Sequence, residues 1–172
     1  YLAVAFDVKH PTFRHEMFAE YKGTRKGMPE ELREQIPMLK ELLDACGILR
    51  LERPGYEADD ILGTLAKRSA TAGYQVSLVS GDRDLLQIAD DVIKVRIPKT
   101  KRTGTEIEDY NTQDVIDKYG LKPAQIIDLK GLMGDASDNI PGVPGIGEKT
   151  AVKLLSQFES VENTIAHIDE VM

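Results

Sequence analysis

A chain of 172 residues can bury one substantial domain, or a domain with a small appendage, and its 41% hydrophobic and 30% charged residues are ordinary for a globular protein. No apolar run approaches the ~20 residues of a membrane span and no signal-peptide pattern opens the chain, so a cytoplasmic protein with no membrane partner is expected. Cys46 stands alone, which excludes a disulfide framework and a cysteine-rich zinc site, and a net charge of −7 argues at first against nucleic acid as a partner.

Tyr1 to Phe6 is a short apolar run ending at Asp7 and predicts a buried strand. The chain has no methionine start and begins inside this strand, so it reads as cut from something longer. Residues 22–29 carry two glycines, a proline and three basic residues, which predicts a mobile, exposed segment. A helix follows, with Leu32, Ile36, Leu39, Leu43 and Cys46 on one stripe and a kink or break expected at Pro37. After Gly47, Ile48–Leu51 reads as a strand. Pro54-Gly55 then turns the chain into a second helix whose buried face is Ala58, Ile61, Leu62, Leu65, Ala66 and Ser69. Gly73 ends it, residues 75–80 form a strand delivering Asp82, a helical turn covers 85–88, and 92–97 is a further strand. Beyond residue 110 the chain reads as helical, at about 112–119, 124–132, 148–157 and 161–168. Strands alternating with helices predict an α/β fold with a mostly parallel sheet, whose active crevice lies beyond the C-terminal strand ends. The boundary near 105–110 divides it into a core over 1–108 and a helical subdomain over 109–172.

The acids are grouped. Asp7 closes the first strand; Glu57, Asp59 and Asp60 open a helix; Asp82 and Asp84 sit in a strand-to-helix turn; Asp135 and Asp138 sit in a glycine-bounded turn. The last three groups each have an ordinary reading, as acids favoured by a helix dipole, a helix cap, or turn and cap residues. Together they are harder to dismiss, because two carboxylates ~5 Å apart repel by roughly 3 kcal/mol at an effective dielectric of 20. Divalent cations relieve such crowding, and oxygen-only donors point to Mg²⁺ or Mn²⁺ rather than zinc.

Basic residues cluster as well. Lys9, Arg14, Lys22, Arg25 and Lys26 crowd one early segment; Lys94, Arg96, Lys99, Lys101 and Arg102 form another with no acid between Asp91 and Glu106. Either is a phosphate-facing patch or ordinary solvated charge. In Gly142-Val-Pro-Gly145-Ile-Gly147-Glu-Lys149, three glycines precede an apolar stripe of Ala151, Leu154, Leu155 and Phe158. That arrangement exposes backbone N–H groups at a helix start, and Lys149 and Lys153 add charge one turn apart: a phosphate grip that reads no bases, or else a tight helix-connecting turn. None of the three histidines has ligand spacing with another, His15 reads as a surface residue, and Cys46 lies on the apolar stripe, so nucleophilic catalysis by Ser or Cys is not expected.

The series Phe6-Asp7-x-Lys9, Gly55-Tyr-Glu-Ala-Asp-Asp60, Ser80-Gly-Asp-Arg-Asp84, Gly134-Asp-Ala-Ser-Asp-Asn139 and Pro141-Gly-Val-Pro-Gly-Ile-Gly-Glu-Lys-Thr150 resembles the 5′-nuclease (flap endonuclease) family, in its bacterial branch. The resemblance runs from Tyr1 to at least Phe158, with the motifs in the same order. It implies a PIN-like domain with a helical arch near 14–45 and a C-terminal helix–hairpin–helix subdomain. It implies a two-metal 5′→3′ exonuclease or flap endonuclease acting in primer removal and repair. One metal would be held by Asp7, Glu57 and Asp59 with an aspartate on an earlier strand. The other would be held by Asp82, Asp84 and Asp138, with Asp60 and Asp135 nearby. Lys9, Arg14 and Lys22 would steer the scissile phosphate, Arg25 and Lys26 would touch DNA in the arch, and Gly142, Gly145, Gly147, Lys149 and Lys153 would hold the duplex backbone. Two Mg²⁺ or Mn²⁺ ions are the implied cofactors, with room for K⁺ at the hairpin. The implied partner is DNA with 5′ flaps, nicks or gaps, bound by a monomer near the bacterial nucleoid, with fusion to a polymerase domain left open. The family's first strand is absent from this chain, so a non-catalytic DNA-binding fragment is the alternative, and a PIN-type ribonuclease is a third reading.

Overall fold

The computed structural model describes residues 1–102 and 104–171; Met172, the last residue of the predicted 109–172 subdomain, lies outside them. By internal packing the chain divides into two units, Tyr1–Leu62 with Ser137–Asn139, and Gly63–Ala136 with Ile140–Met172.

In the first unit, β1 (Ala3–Ala5) pairs in parallel with β2 (Leu49–Leu51), Ala3 opposite Leu49, and the Phe6 amide extends the ladder to the Leu51 carbonyl at 2.9 Å. The expected buried strand is shorter and only half-buried, with Tyr1 and Leu2 exposed. A five-residue α1 (Phe13–Met17) starts at Thr12, whose backbone N–H donates to His15 Nδ1 at 3.1 Å. His15, predicted on the surface, is half-buried and meets the Tyr21 ring edge-on. The longer α2 (Glu30–Ala45) runs unbroken through Pro37, because proline deletes a single donor, the one that would serve the Arg33 carbonyl. Its predicted stripe is only partly covered: Ile36 and Leu43 are half-buried, while Leu32, Leu39 and Cys46 are exposed, as are Met38 and Leu42 beside them. Ion pairs hold α2 to β2 instead, with Arg50 bidentate on Asp44 at 2.6 and 2.7 Å and Lys40 on Glu52 at 2.8 Å. Among the described residues, Tyr21 is the only fully buried large apolar side chain of this unit.

α3 (Ala58–Thr71) carries the predicted face, with Ala66 buried and Ile61, Leu62, Leu65 and Ser69 half-buried, and ends at Gly73 with φ +87°. In the second unit β3 (Val76–Val79) pairs in parallel with β4 (Ile93–Lys101), and a 3₁₀ turn (Arg83–Ile88) joins them. The strand period of two puts Ile93, Val95 and Ile97 inside and Lys94 outside. The sequence reading placed no element at 104–110, yet these residues form β5 (Gly104–Tyr110), antiparallel to β4. The strand has almost no apolar face to betray it. Charge pairs across the hairpin hold it: Arg96 with Asp109 at 2.8 Å, Lys99 with Glu108 and Lys101 with Glu106. The second basic stretch is therefore largely neutralised by acids on its neighbouring strand.

Helices follow where the periodicity puts them at α4 (Thr112–Tyr119), α5 (Gln125–Met133) and α6 (Glu148–Phe158), whereas the single helix expected at 161–168 is interrupted at His167 into α7 (Val161–Ala166) and α8 (Ile168–Val171). Asn111 caps α4, and Gly120 ends it in the left-handed region at φ +69°. Ile126, Leu129 and Leu132 of α5 are buried, as is the predicted stripe of Ala151, Leu154, Leu155 and Phe158 on α6. Two short strands, β6 (Gly134–Asp135) and β7 (Ile140–Pro141), pair antiparallel between these helices. Gly134 at φ +77° leaves no room for a side chain, since a Cβ there would lie 2.6 Å from the Ile140 carbonyl oxygen. Among the described residues no helix is long and apolar enough to cross a membrane.

Candidate functional site

The predicted site residues fall into one acidic cluster in each unit. In the first, the opening of α3 supplies three of the five carboxylates. Glu57 precedes the helix, and its backbone N–H donates to Asp60 Oδ2 at 2.9 Å, while the next donor, Ala58 N–H, is taken by Asp7 Oδ1 at 2.7 Å. Asp7 and Asp60 therefore serve as caps for the helix start, a role not expected for either from the sequence, where the first-turn acids had the helix dipole as their ordinary reading. Asp59 lies half-buried in the same turn.

Cations stand against these acids. Arg14 is bidentate on Asp60, both bonds 2.8 Å, and this guanidinium, aided by the Glu57 amide, holds the Asp60 carboxyl below its ordinary range against the opposing effect of burial. Lys22 Nζ donates to Glu57 Oε1 at 2.7 Å. Arg25 pairs with Asp138, and its Nε donates to the Ser137 carbonyl at 3.0 Å. Between them lies Tyr21, 4% exposed, with its hydroxyl 3.0 Å from both Glu57 Oε2 and Asp138 Oδ2. Burial first, and the two carboxylates next, push this phenol well above its usual range.

The backbone fixes this meeting. Lys22, at φ +55°, donates its N–H to the Asp138 carbonyl at 2.8 Å, and Asn139, at φ +60°, sends its side-chain amide to the Glu20 carbonyl at 2.9 Å. The 22–29 segment is exposed from Gly23 to Pro29, as expected, but Lys22 and Arg25 tie its start to residues 137–139 through backbone and side chain. Lys9 and Lys26 are exposed.

In the second unit, Asp82 caps the 3₁₀ turn by accepting from Asp84 N–H at 2.8 Å, as its position predicted. Lys130 of α5 bridges the remaining pair, with Nζ 2.9 Å from Asp84 and 2.7 Å from Asp135. Burial raises the Asp84 pKa above the carboxylate norm, Lys130 opposes, and Asp82 and Asp135 add to the rise. Gly142 has no space for a Cβ against Met133, Gly145 takes φ +82°, and Gly147 begins α6 without a side-chain cap. Lys149 and Lys153 are exposed on the first turns of α6, and among the described residues neither is matched to an acid.

Tyr21 and Lys130 were missed by sequence reasoning. Each had a signal: Tyr21 is the aromatic directly before a site lysine, and Lys130 is a cation inside the apolar run of α5, five positions before Asp135. Among the described residues no three Asp, Glu, His or Cys side chains form a complete cation cage. The donor chemistry nevertheless fits a hard divalent ion, since the carboxylates of both clusters offer oxygen alone and the Lys130 ammonium already stands as a cation between two of them.

Comparison with known proteins gives the family. Residues 1–120 match the family model "5′-3′ exonuclease, N-terminal resolvase-like domain", and residues 121–172 match its C-terminal SAM fold. The chain belongs to the 5′-3′ exonuclease family. It is 59% identical to DNA polymerase I of Bacillus caldotenax and 57% identical to that of Bacillus subtilis, each over 171 residues, or 99% of this chain. It spans 19% of either relative's length. Among solved structures, the T5 D15 protein co-crystallised with metal ions superposes with a TM-score of 0.79 at 30% identity, covering 96% of this chain and 64% of that one. The catalytic core of Rad2 in complex with DNA substrate, at 19% identity and TM-score 0.62 over 94% of this chain and 48% of its own, shares the fold. The α/β fold with a helical C-terminal part is thus the family's.

Proposed function

We propose that this chain is a structure-specific 5′→3′ exonuclease and flap endonuclease module, hydrolysing DNA phosphodiesters as the 5′-nuclease part of a bacterial DNA polymerase I in primer removal and repair. The observation that carries this reading is the pairing of carboxylates with Arg14, Lys22 and Arg25 in the first cluster and with Lys130 in the second, on a chain whose family is the 5′-3′ exonucleases. Support for DNA and divalent metal comes from the related T5 D15 flap endonuclease, crystallised with DNA and metal ions at 29% identity, and from T5 5′-exonuclease with divalent zinc bound, also at 29% identity.

The resemblance implied Asp138 beside Asp82 and Asp84, with Asp60 near them; because Tyr21 joins Asp138 to Glu57 and Asp60 caps the Glu57 amide, the grouping proposed instead is Asp7, Glu57, Asp59, Asp60 and Asp138 for one Mg²⁺ or Mn²⁺, and Asp82, Asp84 and Asp135 for another. Bound there, such ions supply an activated water and a stabilised leaving oxygen, giving a 5′-phosphate and a 3′-hydroxyl. The chain's own groups do the rest. Arg14, Lys22 and Arg25, now spent on carboxylates, become available to a phosphodiester once those carboxylates are otherwise neutralised, and a guanidinium matches a phosphate bidentately. Lys9 and Lys26 extend this basic surface along the predicted arch. Uncapped amides at the start of α6, with Lys149 and Lys153, grip duplex backbone without reading bases, and K⁺ is the further ion the hairpin would take. The catalytic core over 1–108, the DNA-binding subdomain over 109–172, a monomeric state and a cytoplasmic, nucleoid-associated location complete the proposal.

The test is cleavage of end-labelled double-flap DNA with Mg²⁺, Mn²⁺ or EDTA, beside Asp138→Ala. Metal-dependent release of the 5′ flap that the variant loses, with most DNA affinity kept, is expected. Parallel loss of cleavage and binding would sink the assignment of Asp138 as a metal ligand.

A further inference from the structure

The geometry points to Arg83 as a positioning residue that holds the Asp82–Asp84 turn in register for its cation. This rests on reading those two carboxylates as cation ligands. Arg83 lies between them in sequence, but it reaches other elements. Its Nη1 donates to Tyr119 Oη of α4 at 3.0 Å and to Tyr110 Oη of β5 at 3.3 Å, and its Nη2 donates to Glu108 Oε2 of β5 at 3.0 Å.

The anchor is itself fixed. Tyr110 is 4% exposed, and its hydroxyl donates to Glu108 Oε2 at 2.7 Å while accepting from Arg83 and Lys118, which uses its single proton and both lone pairs. Lys99 closes the other Glu108 oxygen. On the far side, Leu85 and Leu86 bury the body of the 3₁₀ turn. The acidic end has shorter ties: Asp82 N–H to Ser80 Oγ at 3.1 Å, and Asp82 Oδ1 to the Asp84 amide. The guanidinium fork is thus the tie that fastens this end of the turn to β5 and α4, and groups that orient ligands in this way govern metal affinity.

Electrostatics alone predicts the opposite sign. Arg83, Lys99 and Lys118 surround the single carboxylate of Glu108, leaving an excess of positive charge that repels a cation. Deleting Arg83 would then tighten cation binding; deleting a positioning residue weakens it.

The experiment is a Mn²⁺ titration of the full chain followed by electron paramagnetic resonance, with melting curves alongside. Arg83→Ala is expected to keep its fold and weaken one Mn²⁺ site about tenfold. Arg83→Lys, which can reach Glu108 but not both phenols, is expected to recover part of that loss. A folded Arg83→Ala with unchanged or tighter Mn²⁺ binding overturns the inference. Asp84→Asn tests the reading beneath it: if that variant binds Mn²⁺ like the parent, the cation assignment itself fails, whatever Arg83 does. Should Arg83→Ala not fold, Tyr119→Phe removes one partner of the fork, and a measurable weakening of the same Mn²⁺ site is expected; no loss there overturns the inference equally.

Discussion

The hydroxyl of Tyr21 lies 3.0 Å from a carboxylate oxygen of Asp138, joining a loop near the start of the chain to a turn near its end. The same hydroxyl is 3.0 Å from Glu57, yet a phenol has one proton to give, so it serves one carboxylate at a time. Tyr21→Phe keeps the ring and removes the donor. It is expected to cost about 1–3 kcal/mol, because the carboxylates it serves are mostly shielded from water and a lost partner there is not fully replaced. Urea unfolding of parent and variant checks it; an unchanged midpoint would mean that water or Arg25 compensates.

Lys149 tests the grip at α6. Lys149→Ala is expected to weaken duplex binding by the same factor on every sequence and to lower the slope of log K against log salt by about one. Binding isotherms over a salt series on two unrelated duplexes measure both. A sequence-dependent effect would contradict a backbone grip.

Gly134 tests the hairpin between α5 and α6. Gly134→Ala combines a left-handed backbone with a Cβ driven into the Ile140 carbonyl, backbone that cannot swing aside. A loss of about 2 kcal/mol or more is expected from the overlap and strain together. Gly145→Ala shares the positive φ but meets open space, so it should cost less, about 1 kcal/mol. Thermal melts of the two variants separate strain from collision.

Glu108 gives the pH dependence. Lys99 foremost, then Tyr110 and Arg83, push its carboxyl far below the ordinary value of 4.5, against the effect of burial. A carboxyl whose folded pKa is depressed stabilises the fold above its unfolded value, and that stability is lost as pH falls from there through the folded value. The parent should therefore lose stability below about pH 4.5, and Glu108→Gln should lose less over the same interval. Melting temperatures of both proteins from neutral pH downward decide it; parallel curves would mean that the network does not depend on the charge.

Much of this was legible in the residues. The apolar stripe of α6, Asp82 as a cap and the helices after residue 110 follow from local rules of period and capping. What escaped is non-local. β5 could not be read because its partners are charges on β4 rather than an apolar face, and for the same reason Lys99 and Lys101 looked unopposed. The α2 stripe has helical period but is only half covered, at Ile36 and Leu43, since periodicity says which face is apolar and not how much of it is covered. The acids divided likewise. Their grouping was visible, whereas the capping of Ala58 by Asp7 and the bridging of Asp84 and Asp135 by Lys130 require the fold.

The first unit takes Ser137–Asn139 from the far side of a long intervening stretch, and this has a consequence for how the protein is made. On the ribosome, the partners of Asp138 emerge long before Asp138 does. At about 5–20 residues per second, the interval between Leu62 and Ser137 lasts roughly 4–15 s. Through that time Tyr21 and Arg25 lack the partner they pair with in the fold, so the nascent chain is expected to carry an unfinished first unit open to proteases and chaperones. Ribosome-stalled chains ending shortly before and shortly after this turn clears the exit tunnel should differ sharply in protease resistance around residue 21; equal resistance would show that the early half closes without it.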